Sequence, residues 1–229
     1  MPAALGLTSG SLRILAAGRR FTTRWIHISL SVLFLSFAGG QLAAQETIGT
    51  VNRIQGAASA TRGGATRPLG LNASVAHNET ISTGPAARVE VVFKDDTRLT
   101  LGENAKLTLD RYVFDPAGGR GSLRFKAVGA FRFLSGQLSK LARSDVTVAT
   151  PIATIGIRGT EFWGGPIDGQ PLGVFLIDGA VRVSNARGSR ILNRSGQGTN
   201  IPRVGAAPGP VTFWPQDKVN RAIATVAFQ

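Results

Sequence analysis

The sequence contains no cysteine in its 229 residues. Without thiols the protein can form no disulfide bond, no thiolate zinc site and no iron–sulfur cluster, and it has no cysteine nucleophile. Exported proteins often use disulfides but do not require them, so this absence does not argue against export. The fold must therefore be stabilised by packing alone.

Histidine is also scarce, since the chain has only His27 and His77. A Ser–His–Asp triad would have to use His77, because His27 lies in an apolar N-terminal stretch, and no Gly-x-Ser-x-Gly motif is present. Zinc binding by several histidines is excluded by their number. A calcium site at an acidic corner stays open, although no Asp-x-Asp-x-Asp loop occurs. The sequence therefore predicts no catalytic residue, no metal site and no cofactor.

The balance of charge is strongly positive, at +13 from 26 basic and 13 acidic residues. Residues 1–44 contain four of the arginines and no acid, which leaves 22 basic and 13 acidic residues in the rest of the chain. Such an excess favours anionic partners, for example phosphate-rich polymers, acidic glycans or lipid headgroups. The basic residues are scattered and form no run of five, which disfavours dedicated nucleic-acid binding.

The N-terminus has the three parts of a secretory signal peptide. Residues 1–25 are basic, residues 26–38 are apolar, and residues 39–45 are small and polar. The apolar part is shorter than the roughly 20 residues that span a bilayer, so a cleaved signal is favoured over a permanent anchor. We expect cleavage after Ala44, with Ala43 as the nearby alternative, and a periplasmic or otherwise exported product. The pair Arg19-Arg20 leaves a twin-arginine signal open beside the general secretory route.

The mature chain is predicted to be mainly β. Val89, Val91 and Phe93 alternate with polar residues, as in a half-buried strand, and similar short runs follow at intervals up to about residue 201. Glycine at the bends favours a β-solenoid-like roll, with a two-sheet sandwich as the alternative. Asp178-Gly179 is interpreted as a hairpin turn.

The last residues carry a different pattern. Gly205–Pro210 is rich in glycine and proline, which predicts a linker. After Pro215, the residues Val219, Ile223 and Val226 have helical spacing, which predicts a short C-terminal helix. The predicted organisation is thus a signal peptide at 1–44, a β domain at 45–203, and a linker with the helix at 204–229.

One segment identifies a family. Residues 150–162 read TPIATIGIRGTEF, and this run resembles the signature of the FecR domain, in which Thr-Pro-x-Ala-Thr leads into Gly-x-Arg-Gly-Thr-Glu-Phe. Weaker similarity to the same domain occurs at residues 95–105, 134–138 and 174–183. The resemblance therefore covers about residues 80–185.

The resemblance implies an exported β module similar to the periplasmic part of regulators that relay an iron-uptake signal from an outer-membrane receptor to a sigma factor. Those regulators carry a cytoplasmic anti-sigma segment before a membrane span. The 25 residues before the apolar stretch are too few for such a segment, so direct control of a sigma factor is not expected. What carries over is a sensing, scaffolding or protein-contact role.

The candidate site residues are those of the motif that the FecR signature specifies: Thr150, Pro151, Thr154, Gly156, Arg158, Gly159, Thr160, Glu161 and Phe162. In one interpretation they lock a bend in the backbone, with Glu161 as the ionic partner of Arg158. In the other interpretation Arg158 contacts a partner or an anionic ligand.

Three functional hypotheses follow. The favoured one is a non-catalytic FecR-type module that binds a protein or an envelope component in signalling. The second is a structural or adhesive β protein that binds acidic envelope polymers through its basic surface. The third is a carbohydrate-active enzyme, which would need two carboxyl groups facing each other in a cleft.

Overall fold

The computed structural model describes residues 46–229, and the predicted signal peptide with its cleavage site lies outside the described residues. The described chain is mainly β, as predicted. Its strands are β1 Thr47–Gln55, β2 Ala58–Arg62, β3 Ala65–Pro68, β4 Ser74–Ala76, β5 Thr80–Thr83, β6 Arg88–Phe93, β7 Arg98–Leu101, β8 Lys106–Asp115, β9 Arg120–Val128, β10 Phe131–Leu134, β11 Arg143–Ala149, β12 Thr154–Ile167, β13 Gln170–Asn185, β14 Gly188–Leu192, β15 Gln197–Ile201 and β16 Thr212–Phe213. A 3₁₀ turn at Gln137–Lys140 and the helix α1, Gln216–Ala224, complete the elements.

All of these strands belong to one 16-stranded sheet that curls into a half-barrel. Its main path runs β3-β2-β5-β8-β9-β11-β12-β10-β7-β6-β1-β4, and β13 extends it from the free side of β12 to β14, β15 and β16. Among residues 46–229, β9 and β11 form the one parallel pair, and the other pairs are antiparallel. One continuous, largely antiparallel sheet does not confirm the solenoid-like roll or the two-sheet sandwich.

A long hairpin of β12 and β13 joins two wings of the sheet. One wing runs from β11 through β9 to β3, and the other runs from β10 through β7 to β4. β11 pairs with residues 154–157 of β12, and β10 pairs with residues 161–164 of the same strand. The hairpin turn is Asp168-Gly169, whose φ angles of 52° and 71° suit a tight two-residue connection. The prediction of a turn at Asp178-Gly179 is wrong. That pair lies inside β13, where the φ of +82° at Gly179 accompanies a bulge instead.

The core lies between the facing wings of the curled sheet. Phe125 of β9 stacks on Phe133 of β10 with ring centroids 5.9 Å apart, so the aromatic contact crosses from one wing to the other. Burying each such side chain stabilises the fold by about 1.5–3 kcal/mol. Val89, Val91 and Phe93, which the alternation predicts to face inward, are buried. The alternate apolar residues of the similar runs that follow are buried as well: Leu99, Leu101, Leu107, Leu109, Leu123, Phe125, Phe131, Phe133, Val146 and Val148.

The predicted C-terminal helix is confirmed as α1, which begins directly after Pro215. It covers a second apolar cluster on the outer side of the hairpin, where Trp163 is fully buried and its Nε1 donates to Thr225 Oγ1 at 2.9 Å. Trp214 packs onto the backbone at Gly173 and Gly198, where a Cβ would lie within 3 Å of its ring. Within residues 46–229 no helix has the length and apolar character needed to cross a membrane.

Candidate functional site

The candidate motif begins with a turn and continues as the first half of β12. The N–H of Thr150 donates to the carbonyl of Ala153 at 2.8 Å, and the Thr150 hydroxyl accepts the N–H of Ala153 at 3.0 Å. Pro151, which has no N–H to satisfy, occupies the turn between β11 and β12. The opening residues of the motif therefore reverse the chain, and Thr154 starts the strand on the exposed side.

A bulge in the middle of β12 organises the next residues. The pairing register with β13 shifts between Arg158 and Glu161, and Gly159 adopts a φ of +56° that favours glycine. Gly179 of β13 approaches so closely that a Cβ there would lie 2.1 Å from the carbonyl oxygen of Gly159. The two glycines thus allow the hairpin to bend at one place.

Thr160 holds this bend together from the inside. It is 2% exposed, and its Oγ1 donates to the carbonyl of Ala180 at 2.7 Å and accepts the N–H of the same residue at 3.1 Å. Its own N–H donates to Ser135 Oγ at 2.9 Å. Thr160 therefore ties β12 to β13 and to the segment after β10, which is a structural task.

Glu161 and Phe162 also make internal contacts. Glu161 pairs with Arg132 of β10, whose Nε donates to Oε1 at 2.7 Å. Phe162 is fully buried, with its ring centroid 5.8 Å from that of Phe131 and 5.7 Å from that of Phe133. The expected ion pair between Arg158 and Glu161 is absent from the described chain, because the bulge separates the two residues and places Glu161 against β10.

Arg158 differs from these neighbours. Its side chain is exposed, and within residues 46–229 it makes no ion pair and no hydrogen bond. The structure therefore divides the motif into an inner part that builds the bend and an outer part, formed by Thr154, Gly156 and Arg158, that faces solvent.

The outer part lies beside a shallow groove of about 440 Å³ on the outer face of β11, β12, β13 and β14. We name it the Gly156 groove, after the residue that lies between Thr147 of β11 and Arg182 of β13 in the pairing register. No atom lies within 4 Å of the position that a Cβ of Gly156 would take. The groove is lined by Ser144, Asp145, Val146, Thr147, Gly156, Ile157, Arg158, Ala180, Val181, Arg182 and Ile191.

A second polar cluster, which the motif alone did not reveal, is centred on Asp95. This carboxylate is fully buried and accepts hydrogen bonds from Thr97 Oγ1 at 2.6 Å, from the Tyr112 hydroxyl at 3.1 Å and from the Leu138 N–H at 3.1 Å. Gly136 is required beside it, since a Cβ there would lie 2.1 Å from the Asp95 carbonyl oxygen. Residues 95–101 and 134–138 both resemble FecR elements, which is a partial signal in the sequence. That resemblance does not indicate that the two segments touch.

Burial and the neighbouring Asp95 carboxylate raise the pKa of Tyr112 above its usual value. Asp96, next in the chain, is exposed, has a φ of 65° and accepts a hydrogen bond from Gln137 Nε2 at 2.6 Å. The carboxylates of two consecutive residues thus lie in opposite environments, with Asp95 buried and Asp96 exposed. In the part of the chain from Glu46 onward, no group of three or more histidine or acidic side chains is placed to hold a metal ion.

The sequence of the chain matches a known protein family, and its fold matches solved structures. The profile of the FecR protein family matches residues 79–182. Two crystal structures of a suspected anti-sigma factor from Parabacteroides distasonis, at 1.65 Å and 2.50 Å resolution, are similar to this chain, each with a TM-score of 0.50. They are 15% and 14% identical to it, and each alignment covers 63% of this chain.

At this level of identity the likeness establishes a shared fold. The aligned region spans 64% and 63% of those two chains, which is less than two thirds of their length. No curated protein sequence matches the chain at a significant level.

Proposed function

We propose that this chain, which contains a FecR domain at residues 79–182, is an exported, non-catalytic module that acts in the cell envelope by binding a protein partner in signalling. The family match and the fold shared with suspected anti-sigma factors support a regulatory role. The N-terminal sequence supports export, with the mature protein beginning after Ala44.

The observation that carries the proposal is that Arg158 is exposed and unpaired while the residues after the bulge are used inside the fold. Thr160, Glu161 and Phe162 make internal contacts, whereas Arg158 has no partner among the described residues. The strand places Arg158 on the outer face, and the five donors of its guanidinium, which no described residue engages, can bind an external acceptor. The motif therefore builds a stable bend and presents one basic side chain from it.

The same geometry supports a binding role over a catalytic one. Asp95, the fully buried carboxylate, is occupied by three donors from its own chain. Asp115, Asp145 and Asp168 are each engaged by a basic side chain at 3.0–3.2 Å. These four carboxylates are thus engaged within residues 46–229, whereas glycoside hydrolysis would need two carboxyl groups facing each other across a cleft.

Partner contact can be tested by site-specific photo-crosslinking in cells. A photoreactive residue in place of Ser144, which is exposed and lines the Gly156 groove beside Arg158, should yield a discrete adduct whose protein component mass spectrometry identifies. The same photoreactive residue at position 213, an exposed site on the edge strand β16, is the matched control. Adducts at both positions, or at neither, would contradict a partner surface around Arg158.

Export is tested on the same strain by cell fractionation and N-terminal sequencing. The proposal requires the protein outside the cytoplasm with an N-terminus at Gln45, or at Ala44 if cleavage follows Ala43. An uncleaved cytoplasmic protein would refute this part of the proposal.

A second function has its own support, namely binding to acidic envelope polymers. Five basic side chains of β8, β11, β12 and β13 are exposed and make no ion pair with residues 46–229: Lys106, Arg111, Arg143, Arg158 and Arg182. Binding of this kind falls steeply as salt rises, because exposed charges are screened over about 8 Å at physiological ionic strength. A protein partner held by packing as well as charge should survive physiological salt.

A further inference from the structure

We propose that the Gly156 groove binds an acidic peptide segment of the protein partner, with a carboxylate seated over Gly156 between Arg158 and Arg182. The inference rests on the proposed function and names the chemistry that the partner must present. It is carried by the shape, the charge and the unsatisfied polar group of the groove.

The groove has open space at position 156, where glycine has no side chain. Gly156 is not among the residues with positive φ, so the backbone there does not need glycine. Nor does packing need it, since a Cβ would meet no atom within 4 Å. A glycine in the middle of a strand weakens the strand relative to a larger residue, so its use here serves the open space it leaves.

Two arginines, Arg158 and Arg182, lie on the same outer face of the sheet. Arg182 pairs with Gly156 in the strand register, and Arg158 follows Gly156 by two residues, which places it on the same face of β12. Both side chains are exposed and without an ionic partner in the described chain. Asp145, the acidic residue of the groove, is engaged by Arg124 at 3.2 Å. The floor of the groove therefore carries uncompensated positive charge.

The groove is also lined by a threonine whose hydroxyl is buried and has no hydrogen-bond partner within residues 46–229. This hydroxyl is Thr147 Oγ1. Leaving such a group unsatisfied costs about 1–3 kcal/mol. Thr147 lies opposite Gly156 on the side away from Arg182 and lines the groove, so rotation of its side chain turns the hydroxyl toward a carboxylate oxygen above Gly156 and lets it donate a hydrogen bond there. Threonine and two guanidinium groups then surround one anion.

The walls of the groove favour a peptide over a polysaccharide. Ile191, which is 48% exposed, pairs with Arg182 in the strand register and therefore lies on the same outer face. Aliphatic surface beside guanidinium groups suits an apolar residue that flanks a glutamate or aspartate. The groove contains no aromatic ring on which a sugar could stack. The occupant that fits is therefore an acidic segment with an adjacent aliphatic side chain.

The test is an NMR titration of the purified protein with the capped peptide Gly-Glu-Leu-Glu-Gly. The peptides Gly-Gln-Leu-Gln-Gly and Gly-Lys-Leu-Lys-Gly and an alginate oligomer are the comparison probes. The acidic peptide should shift the Gly156 amide and its neighbours, and the other two peptides should not. Arg158→Ala and Arg182→Ala should each weaken binding about tenfold, as expected for the loss of one charge-assisted contact.

Gly156→Val provides the decisive variant. Valine suits a strand better than glycine, and its Cβ meets no atom within 4 Å, so the melting temperature should be unchanged or higher while peptide binding is lost. No binding of the acidic peptide, binding that survives Gly156→Val, or tighter binding of alginate than of peptide would each overturn the groove assignment. A partner crosslinked from position 144 together with any of these results would retain the proposed function. Peptide binding without a crosslinked partner would refute the proposed function and not the groove.

Discussion

Thr160 and Ala180 face each other across the β12–β13 hairpin, and one hydroxyl satisfies both backbone groups of the alanine. Thr160 Oγ1 donates to the Ala180 carbonyl at 2.7 Å and accepts its N–H at 3.1 Å. The bulge at Gly159 removes the regular ladder pairing at this point, so the side chain replaces it. This relationship explains why threonine follows Gly159 in the motif.

Thr160→Val should therefore destabilise the protein by about 1–3 kcal/mol, since valine keeps the shape but leaves the N–H and the carbonyl of Ala180 without their hydrogen-bond partner. Thr154→Val is the matched control, because Thr154 is exposed in the same strand and its hydroxyl makes no hydrogen bond to the described chain. Chemical denaturation of both variants measures the difference. Equal stability of the two would show that the hydroxyl of Thr160 does not hold the bend.

Asp95 and Asp96 are neighbours in the chain, but their replacement by asparagine should change the stability of the fold to different extents. Asp95→Asn should destabilise the fold by about 2 kcal/mol, because an amide cannot accept all three hydrogen bonds that reach the buried carboxylate. Asp96→Asn should be close to neutral, since asparagine tolerates positive φ and can still accept from Gln137. Thermal unfolding of the pair decides the matter, and a larger effect at Asp96 would refute the assignment.

Tyr112, the sole tyrosine of the chain, reports on the same cluster at high pH. Its pKa is raised in the folded protein, so above about pH 10 the unfolded chain loses the phenolic proton while the folded chain keeps it. The contribution of Tyr112 to stability is therefore constant below that pH and falls above it, by up to about 1.4 kcal/mol per pH unit.

Ultraviolet absorbance should accordingly show no tyrosinate in the folded protein near pH 10, and should show it once denaturant unfolds the chain. In Tyr112→Phe, the fall in stability above pH 10 should be shallower than in the parent protein. An ordinary tyrosine titration in the folded state would mean that the hydroxyl is not buried against Asp95.

Gly198 should be essential for docking Trp214 and the helix α1 that follows. A Cβ at position 198 would lie 2.2 Å from Trp214 Nε1, so Gly198→Ala must displace the indole, at a cost of about 1–3 kcal/mol. Gly70→Ala is the control, because it has an ordinary φ and nothing within 4 Å of the added Cβ. Tryptophan fluorescence and the melting temperature should change in the first variant only.

Much of the fold could be predicted because it depends on local pattern. Alternation at Val89, Val91 and Phe93 predicted their burial, and the spacing after Pro215 predicted α1. These features follow from residue periods within one element. The order of the strands could not be predicted in the same way, since it depends on pairings between segments far apart in the chain.

The candidate site shows the same limit. Glu161 lies three residues from Arg158, so the sequence favoured a pair between them, yet its partner is Arg132, 29 residues away on β10. Asp95-Asp96 looked like a solvated turn, and only the packing of residues 136–138 against it made Asp95 a buried acceptor. Sequence reasoning located the motif but could not assign each side chain to the inside or the outside.

The melting temperature of Arg158→Ala tests the central claim, that the motif builds its bend without this arginine and presents it outward. Because Arg158 is exposed and unpaired within residues 46–229, the melting temperature of the variant should match that of the parent protein to within about 1 °C, as for a surface substitution. Crosslinking to the partner from a probe at position 144 should be lost in the same variant. A fall of several degrees would instead mean that Arg158 locks the bend, and would contradict the account.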